Sequence, residues 1–284
     1  MIATTGFFDG VHLGHRLVIE RLVSLAHARG DESLVVTFWP HPRAVLQNGA
    51  RELRLLTTLE EKKELLRSLG VDRVEVLDFT RAFASLTAEA YLRDVLRDRL
   101  GVTTLLVGYD NRLGSDRLTA SALATLAATL GLELIELPPY QNISSTKIRR
   151  FLEDGDIVSA TAMLGYGYSL QGVVVAGNRL GRTIGFPTAN MKLYEPLKLV
   201  PGRGVYVVEV EVLGRKYRGM TNIGLRPTVG GTATTIETHI LDFDEDIYGL
   251  PLRITFLRRL RDEIHFPSLS ALQSQLQKDR EACR

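Results

Sequence analysis

Three stretches of this chain carry the residue types and spacing for phosphate chemistry. The first is Thr4-Thr5-Gly6-Phe7-Phe8-Asp9-Gly10-Val11-His12-Leu13-Gly14-His15-Arg16, with glycines at 6, 10 and 14 and two histidines separated by Leu13 and Gly14. Glycine lets a backbone close on a bulky anion, and imidazoles can donate hydrogen bonds to phosphoryl oxygens as charge develops on them. A strand-to-helix loop with incidental histidines is the competing reading. The second stretch is Ile143-Ser144-Ser145-Thr146-Lys147-Ile148-Arg149, after Pro138-Pro139. It opens a helix with Ser144 or Ser145 as N-cap, and Lys147 and Arg149 add positive charge beside free amides. Plain capping with a solvated basic first turn is the better explanation of it taken alone. The third is Gly177-Asn178-Arg179-Leu180-Gly181-Arg182-Thr183-Ile184-Gly185-Phe186-Pro187-Thr188-Ala189-Asn190. Its glycines and arginines make a basic loop able to fold over phosphates, and Pro187 then stiffens it. Thr188 and Asn190 share one side if the chain is extended. A hydroxyl and an amide oxygen are hard ligands, suited to a Mg²⁺ that phosphates also hold. A solvated basic loop is the bland alternative.

Short β-rich runs and helical periods must position these stretches. An apolar opening at Ile2-Ala3 leads into the first glycines, and apolar residues at 17, 18, 22, 25 and 26 mark one face of a helix over Leu17 to Ala28. Ser33 to Phe38 reads as a buried strand ended by Trp39-Pro40-His41-Pro42, because proline removes ladder donors. Thr58-Leu59-Glu60-Glu61 offers a capping box for a helix running to Leu69. Strands over Val74 to Leu77, Thr104 to Val107 and Leu132 to Leu137 alternate with helices over Ala88 to Leu100 and Thr119 to Leu130, and a last helix runs from Ser144 or Ser145 to about Leu164. This alternation predicts a parallel sheet with helices on both faces. Ligands of such sheets sit at the carboxyl ends of the strands, where the histidine turn, the Pro40–Pro42 loop and the Gly108–Gly114 loop all fall.

After residues 165 to 168 the pattern changes. Ser169 to Val175, Gly204 to Val212, Lys216 to Thr221, Thr234 to Leu241 and Leu252 to Leu260 are short strands with glycine turns between them, and alternation before Leu213-Gly214-Arg215 argues for a hairpin. A small antiparallel barrel is expected, closed by a helix from Ser268 to Arg284. The predicted fold is α/β: a Rossmann-like doubly wound parallel sheet over 1–165, then a small antiparallel β-barrel with a C-terminal helix over 166–284.

Composition narrows the class. The 284 residues are 45% hydrophobic and 24% charged, an ordinary globular balance for two domains. Lys and Arg (35) barely exceed Asp and Glu (33), which argues against a nucleic-acid-binding surface. The single cysteine, Cys283, excludes a disulfide framework and points to a reducing compartment. No apolar run approaches the roughly 20 residues of a membrane span, so neither a signal peptide nor a membrane partner is expected and the location is read as cytoplasmic. Oligomeric state is left open.

The motifs together resemble a known family. Gly6 to His15 with Ile143 to Arg149 is similar to the nucleotidyltransferases that carry His-x-Gly-His and a late Ser-Ser-Thr-x-Ile-Arg, and within them to the flavin branch, the adenylyltransferase half of bacterial bifunctional riboflavin kinase/FAD synthetase. Trp39-Pro40-His41-Pro42-Arg43 and Val107-Gly108-Tyr109-Asp110 resemble loops of that branch, although Asn111 and Leu113 stand where the family often has phenylalanines. In the second half, Pro187-Thr188-Ala189-Asn190, Thr221-Asn222-Ile223-Gly224-Leu225-Arg226-Pro227-Thr228 and Ile236-Glu237-Thr238-His239-Ile240-Leu241-Asp242-Phe243 resemble the riboflavin kinase family, so the likeness spans nearly the whole chain in order.

The resemblance implies a Mg²⁺-dependent phosphorylation of riboflavin by ATP to FMN, then adenylylation of FMN by a second ATP to FAD and pyrophosphate. The alternative is that only one activity is retained, the kinase, because the Asp110-Asn111-Arg112-Leu113 loop departs from the family. Glu237 is implied as the base that takes the riboflavin hydroxyl proton, and a carboxylate within reach can do so; an exposed strand glutamate is the residue-level alternative. His12, His15 and Arg149 are implied to neutralise charge in adenylyl transfer. ATP contacts are implied at Gly6, Phe7, Asp9, Gly10, Gly14, Ser144, Ser145 and Thr146, and in the second half at Gly177, Arg179, Gly181, Arg182, Pro187, Thr188 and Asn190, with Thr188 and Asn190 holding the metal. Flavin contacts are implied at His41, Asp110, Arg112, Asn222, Arg226 and Arg261. The acidic run Asp242, Asp244, Glu245 and Asp246 reads as a solvated turn, and His239 carries no assigned role.

Overall fold

A computed structural model describes residues 1–46, 53–108, 113–138, 143–177, 180–228 and 231–284. Asp110, Arg112 and Arg179, with Tyr109 and Asn111, lie outside the described residues. The chain divides into two compact units, Met1–Ser145 and Thr146–Arg284.

The first unit is built on five parallel strands, β1 (Ile2–Thr5), β2 (Ser33–Trp39), β3 (Arg73–Asp78), β4 (Thr104–Gly108) and β5 (Glu133–Leu137), in the order β3-β2-β1-β4-β5. Successive side chains of a strand leave opposite faces. Ala3, Leu34, Val36 and Leu105 accordingly join one apolar layer with Leu92 and Leu96, while Ile2, Val35 and Leu106 join the other with Ile19, Leu22 and Leu66. Both faces being covered explains the near-continuous apolar strands. The chain winds outward from β1 to β3, then returns to β4 on the other side of β1. That reversal opens the crevice beyond the carboxyl ends of β1 and β4.

Helices differ from the periodicity in three places. Helix α1 (Leu13–Arg29) begins four residues before the apolar period, because His12 is itself its N-cap. The predicted run of Ile143 to Leu164 is broken into α7 (Ser145–Glu153) and α8 (Ile157–Leu164): Gly155 takes φ +77° and Asp156 caps the second helix through Ser159. The helix at Ala88–Ala90 continues as a nine-residue π-helix over Tyr91–Arg99, and the Tyr91 hydroxyl meets Thr5 Oγ1 at 2.7 Å at the end of β1. The other helices of the first unit are α2 (Pro42–Leu46), α3 (Leu59–Ser68), α4 (Arg81–Ala84), α5 (Ala88–Ala90) and α6 (Ala120–Thr129), whereas α7 after its first residue and all of α8 belong to the second unit. The predicted capping box is present: Thr58 Oγ1 accepts from Glu61 N at 3.1 Å and Thr58 N donates to Glu61 Oε2 at 2.9 Å.

The second unit contains a closed barrel in the order β10-β7-β6-β11-β8-β9, formed by β6 (Ser169–Val175), β7 (Ala189–Leu193), β8 (Gly204–Val212), β9 (Arg215–Thr228), β10 (Gly231–Ile240) and β11 (Pro251–Arg261). β7 is a strand beyond the five that the pattern predicts, and it starts within the segment expected to be extended after Pro187. The hairpin between β8 and β9 turns at Leu213 and Gly214, both at positive φ (53° and 72°), the backbone that matches strand twist. Helix α10 (Leu269–Ala282) places Leu276 beside a cluster of Phe186, Val205, Val207, Met220 and Cys283. A short helix, α9 (Leu180–Thr183), precedes the Pro187–Asn190 segment.

Candidate functional site

In the first unit the loop after β1 is held in a costly conformation. Phe8 (φ 52°), Gly10 (φ 82°) and Val11 (φ 36°) are all left-handed, and for a β-branched valine this is strain of order 1–3 kcal/mol. The surroundings hold it there. The buried Asp9 carboxylate accepts from the amides of Leu56 at 3.0 Å and Thr57 at 3.2 Å, and Gly10 N donates to Thr57 Oγ1 at 3.1 Å. Asp9 thus ties the loop to the 55–57 bend. Ser145 Oγ donates to the Asp9 carbonyl at 3.0 Å, bringing the start of the late serine motif onto the same loop from 136 residues away.

The two histidines lie against each other. Their rings stack with centroids 3.6 Å apart and planes 16° from parallel, and His12 Nδ1 accepts the His15 amide at 3.4 Å. Gly14 makes this possible, since a Cβ there would sit 3.3 Å from the His12 ring. His15 Nδ1 is buried with no partner among the described residues. Burial holds the His15 pKa well below the usual histidine range, and the fields of His12 and Lys62 push the same way. A neutral imidazole with an unmet nitrogen suits hydrogen bonding to an anion. Phe7 meets the His41 ring edge-on at 4.1 Å, and His41 Nδ1 accepts from Arg43 N at 3.0 Å. Leu113, one of the two departures from the family, is buried in the apolar layer with Leu92.

In the barrel, strand register builds a row. Glu237 on β10 pairs with Asn190 on β7 and with Asn222 on β9, so three polar side chains cross three adjacent strands. Thr188 Oγ1 lies 3.5 Å from Glu237 Oε2. Two cavities of about 280 Å³ each flank this row. One is lined by Gly177, Arg182, Pro187, Thr188 and Asn190, with Phe243, Tyr248 and Asp244 to Asp246 opposite. The other takes Glu237, Asn222, Gly181 and Arg261 among Ile184, Phe186, Ile264 and Leu272, with Thr188 lining both. Most of the residues expected at ATP therefore line one cavity, and Gly181 lines the other. Arg226 is exposed and lines neither. Arg261 is held by the Asp279 carboxylate at 3.0 and 2.6 Å.

Two residues of these sites escaped sequence reasoning. His239, on the same face of β10 as Glu237, lies with Nδ1 2.8 Å from the Pro187 carbonyl and so anchors the Thr188 segment; burial lowers its pKa. Lys62 is fully buried at the first-unit site. A charge on the apolar stripe of Leu59, Leu66 and Leu69 was the signal that could have found it.

The metal reading can be tested on the donor set. Thr188 and Asn190 supply two hard oxygens, and among the described residues no cluster of His, Cys, Asp and Glu could hold an ion. That fits a Mg²⁺ carried mainly by phosphate and water.

Comparisons with known proteins agree with both halves. The FAD synthetase family model matches residues 1–150 and the riboflavin kinase model residues 164–284. A bifunctional riboflavin kinase/FMN adenylyltransferase of Listeria monocytogenes is 38% identical over 100% of this chain and 91% of its own length. The Escherichia coli K12 protein of the same description is 38% identical over 98% of this chain and 90% of its own. A crystal structure described as a macrolide-efflux protein from Streptococcus pneumoniae superposes with a TM-score of 0.93 at 34% identity, covering 100% of this chain and 93% of that one. Among the described residues no helix is long and apolar enough to cross a membrane. With the histidine-lined crevice in one unit and the Asn190–Glu237–Asn222 row in the other, matched in order and almost end to end, the chain belongs to the bifunctional riboflavin kinase/FMN adenylyltransferase family.

Proposed function

We propose that the barrel module, residues 166–284, phosphorylates riboflavin with Glu237 as base, and that the sheet module, residues 1–165, adenylylates the FMN so formed. The observation that carries this reading is the polar row between two cavities, with Thr188 lining both. ATP occupies the cavity of Gly177, Arg182 and Asn190. Its adenine lies toward Phe243 and Tyr248, because the carboxylates of Asp244 to Asp246 would repel phosphate but can accept from an exocyclic amine. Riboflavin occupies the other, largely apolar cavity, with Asn222 and Arg261 as its polar contacts. Its 5′-hydroxyl oxygen attacks the γ-phosphorus, the hydroxyl proton passes to Glu237, and the bond to the β-phosphate oxygen breaks to release ADP. Thr188 and Asn190 would hold Mg²⁺, which supplies charge neutralisation on the phosphates.

In the sheet module, an oxygen of the FMN phosphate attacks the α-phosphorus of ATP and the α–β bridge breaks, giving FAD and pyrophosphate. The nucleophile is already an anion, so no base is required. His12, His15, Ser145, Thr146 and Arg149 stabilise the charge that moves onto the pyrophosphate. Gly6, Gly10 and Gly14 let the loop close on the triphosphate, and Ser144, Asp110 and Arg112 complete the contacts that the family resemblance implies. ATP, riboflavin and FMN are the partners in this reading, and a reducing, ATP-supplied cytoplasm is its location. Incubation with ATP and Mg²⁺ followed by chromatographic separation of riboflavin, FMN and FAD tests it. Recovery of unaltered riboflavin would refute the kinase half, and FMN supplied but not converted would refute the other.

A further inference from the structure

Lys62 on α3 is completely shielded from solvent. Burying an ammonium costs several kcal/mol unless strong partners compensate. Here compensation is thin. Nζ donates to Thr37 Oγ1 at 3.3 Å and lies 3.6 Å from the centroid of the Phe7 ring. The Thr37 hydroxyl donates its own hydrogen to the Phe7 carbonyl at 3.1 Å, so it turns a lone pair toward Lys62. The field of Asp9 favours the charge, but the Asp9 carboxylate is engaged by the amides of Leu56 and Thr57. Burial lowers the Lys62 pKa to about 8, which leaves the cation charged at neutral pH.

What the cation holds is informative. Phe7, beneath it, meets His41 at 4.1 Å, so one chain of contacts runs from Lys62 through Phe7 to His41 across the carboxyl ends of β1 and β2. The same ammonium acts on His15 through space. We propose that Lys62 is a positioning residue for adenylyl transfer, fixing through Phe7 the loop after β1 and the His41 loop in the arrangement that receives ATP and FMN. The proposal rests on the adenylyltransferase reading of this site. Its physical basis is that a poorly compensated buried charge held against the Phe7 ring ties α3 to the loop that must align the reacting groups, where a small misplacement slows the chemical step.

A structural lysine and a positioning lysine differ in what the neutral isostere does. Lys62→Met keeps the stem and removes the charge, and replacing a buried charge with an apolar group of similar volume is often neutral or stabilising. In the full chain, Lys62→Met should unfold at the same or a higher temperature and phosphorylate riboflavin at the wild-type rate. Its kcat for FAD formation should fall about 10–100-fold, the scale of a small misplacement of reacting groups, with KM for ATP and FMN changing less than threefold. Lys62→Arg, which restores the cation, should recover part of that loss. FAD formation by Lys62→Met within twofold of wild type overturns the proposal. So does loss of activity together with a lower unfolding temperature, or failure to fold, because Lys62 would then be structural. If the wild-type chain itself makes FMN but no FAD, the adenylyltransferase reading fails first, and this inference falls with it.

Discussion

Gly177→Ala gives a sharp test of the nucleotide cavity in the barrel. A Cβ built on Gly177 lies 2.6 Å from Asn190 Cγ, where carbon atoms normally rest about 3.5–4.0 Å apart. The Asn190 backbone cannot retreat easily, since the residue pairs with Val175 on β6 and with Glu237 on β10. The side-chain amide must therefore swing away from the cavity, or the Gly177 loop must lift off it. Overpacking of this size costs about 1–3 kcal/mol. If that strain is relieved on losing the bound-state geometry, kcat/KM for riboflavin phosphorylation falls about 5–150-fold at about 1.36 kcal/mol per decade. The assay is FMN formation at varied ATP and Mg²⁺, with conversion of supplied FMN to FAD by the same preparation as internal control. The expected pattern is weaker apparent affinity for Mg²⁺-ATP with FAD formation intact. Unchanged nucleotide affinity in a folded variant would refute the placement of ATP beside Asn190, and equal loss of both activities would refute two separate sites.

Other substitutions extend the test. Glu237→Gln keeps shape and removes the proton acceptor, so phosphorylation should fall ~10²–10⁴-fold while FAD formation persists, as read by rates of FMN and FAD production. His15→Ala should do the converse, lowering FAD formation ~10²–10³-fold and sparing FMN formation. Thr58→Ala removes a capping box and should destabilise the first unit by about 1 kcal/mol in urea unfolding, with no direct effect on the kinase. Lys62 also sets a pH dependence: its folded pKa of about 8 lies below the ordinary 10.5, so the unfolded chain binds more protons between those values. Stability of the first unit should therefore rise with pH through that window, by roughly 3 kcal/mol in all, and the difference between wild type and Lys62→Met should trace the rise. Asp9 is the charged group whose field acts on Lys62, while Lys62 in turn acts on His15, and a flat difference curve would disprove the burial argument.

Much of this protein was legible in the chain itself. The Thr58 capping box and the Leu213–Gly214 turn rest on interactions between residues a few positions apart, and β6 and β8 carry runs of β-branched residues long enough to mark their bounds before any pairing, so local spacing records them. The motifs were legible for the same reason, because their glycines, hydroxyls and basic groups stand in short succession along the chain. Legibility failed where neighbours in space are distant in sequence. Helical period ran smoothly through Gly155, yet the chain turns there. β7 is not predicted as a strand, because its five residues are fixed as one by pairing with β6 and β10.

By itself the sequence determined two modules, their fold classes and the chemistry each is equipped to perform. Only the tertiary structure decided that Asn190, Glu237 and Asn222 form one row, that Ser145 meets the Asp9 loop, and that Lys62 lies in the interior rather than on a solvated helix face. The reason is physical. Composition and spacing encode what a segment can form alone, whereas register, burial and the field at a buried charge come from segments brought together by the packing of the whole unit.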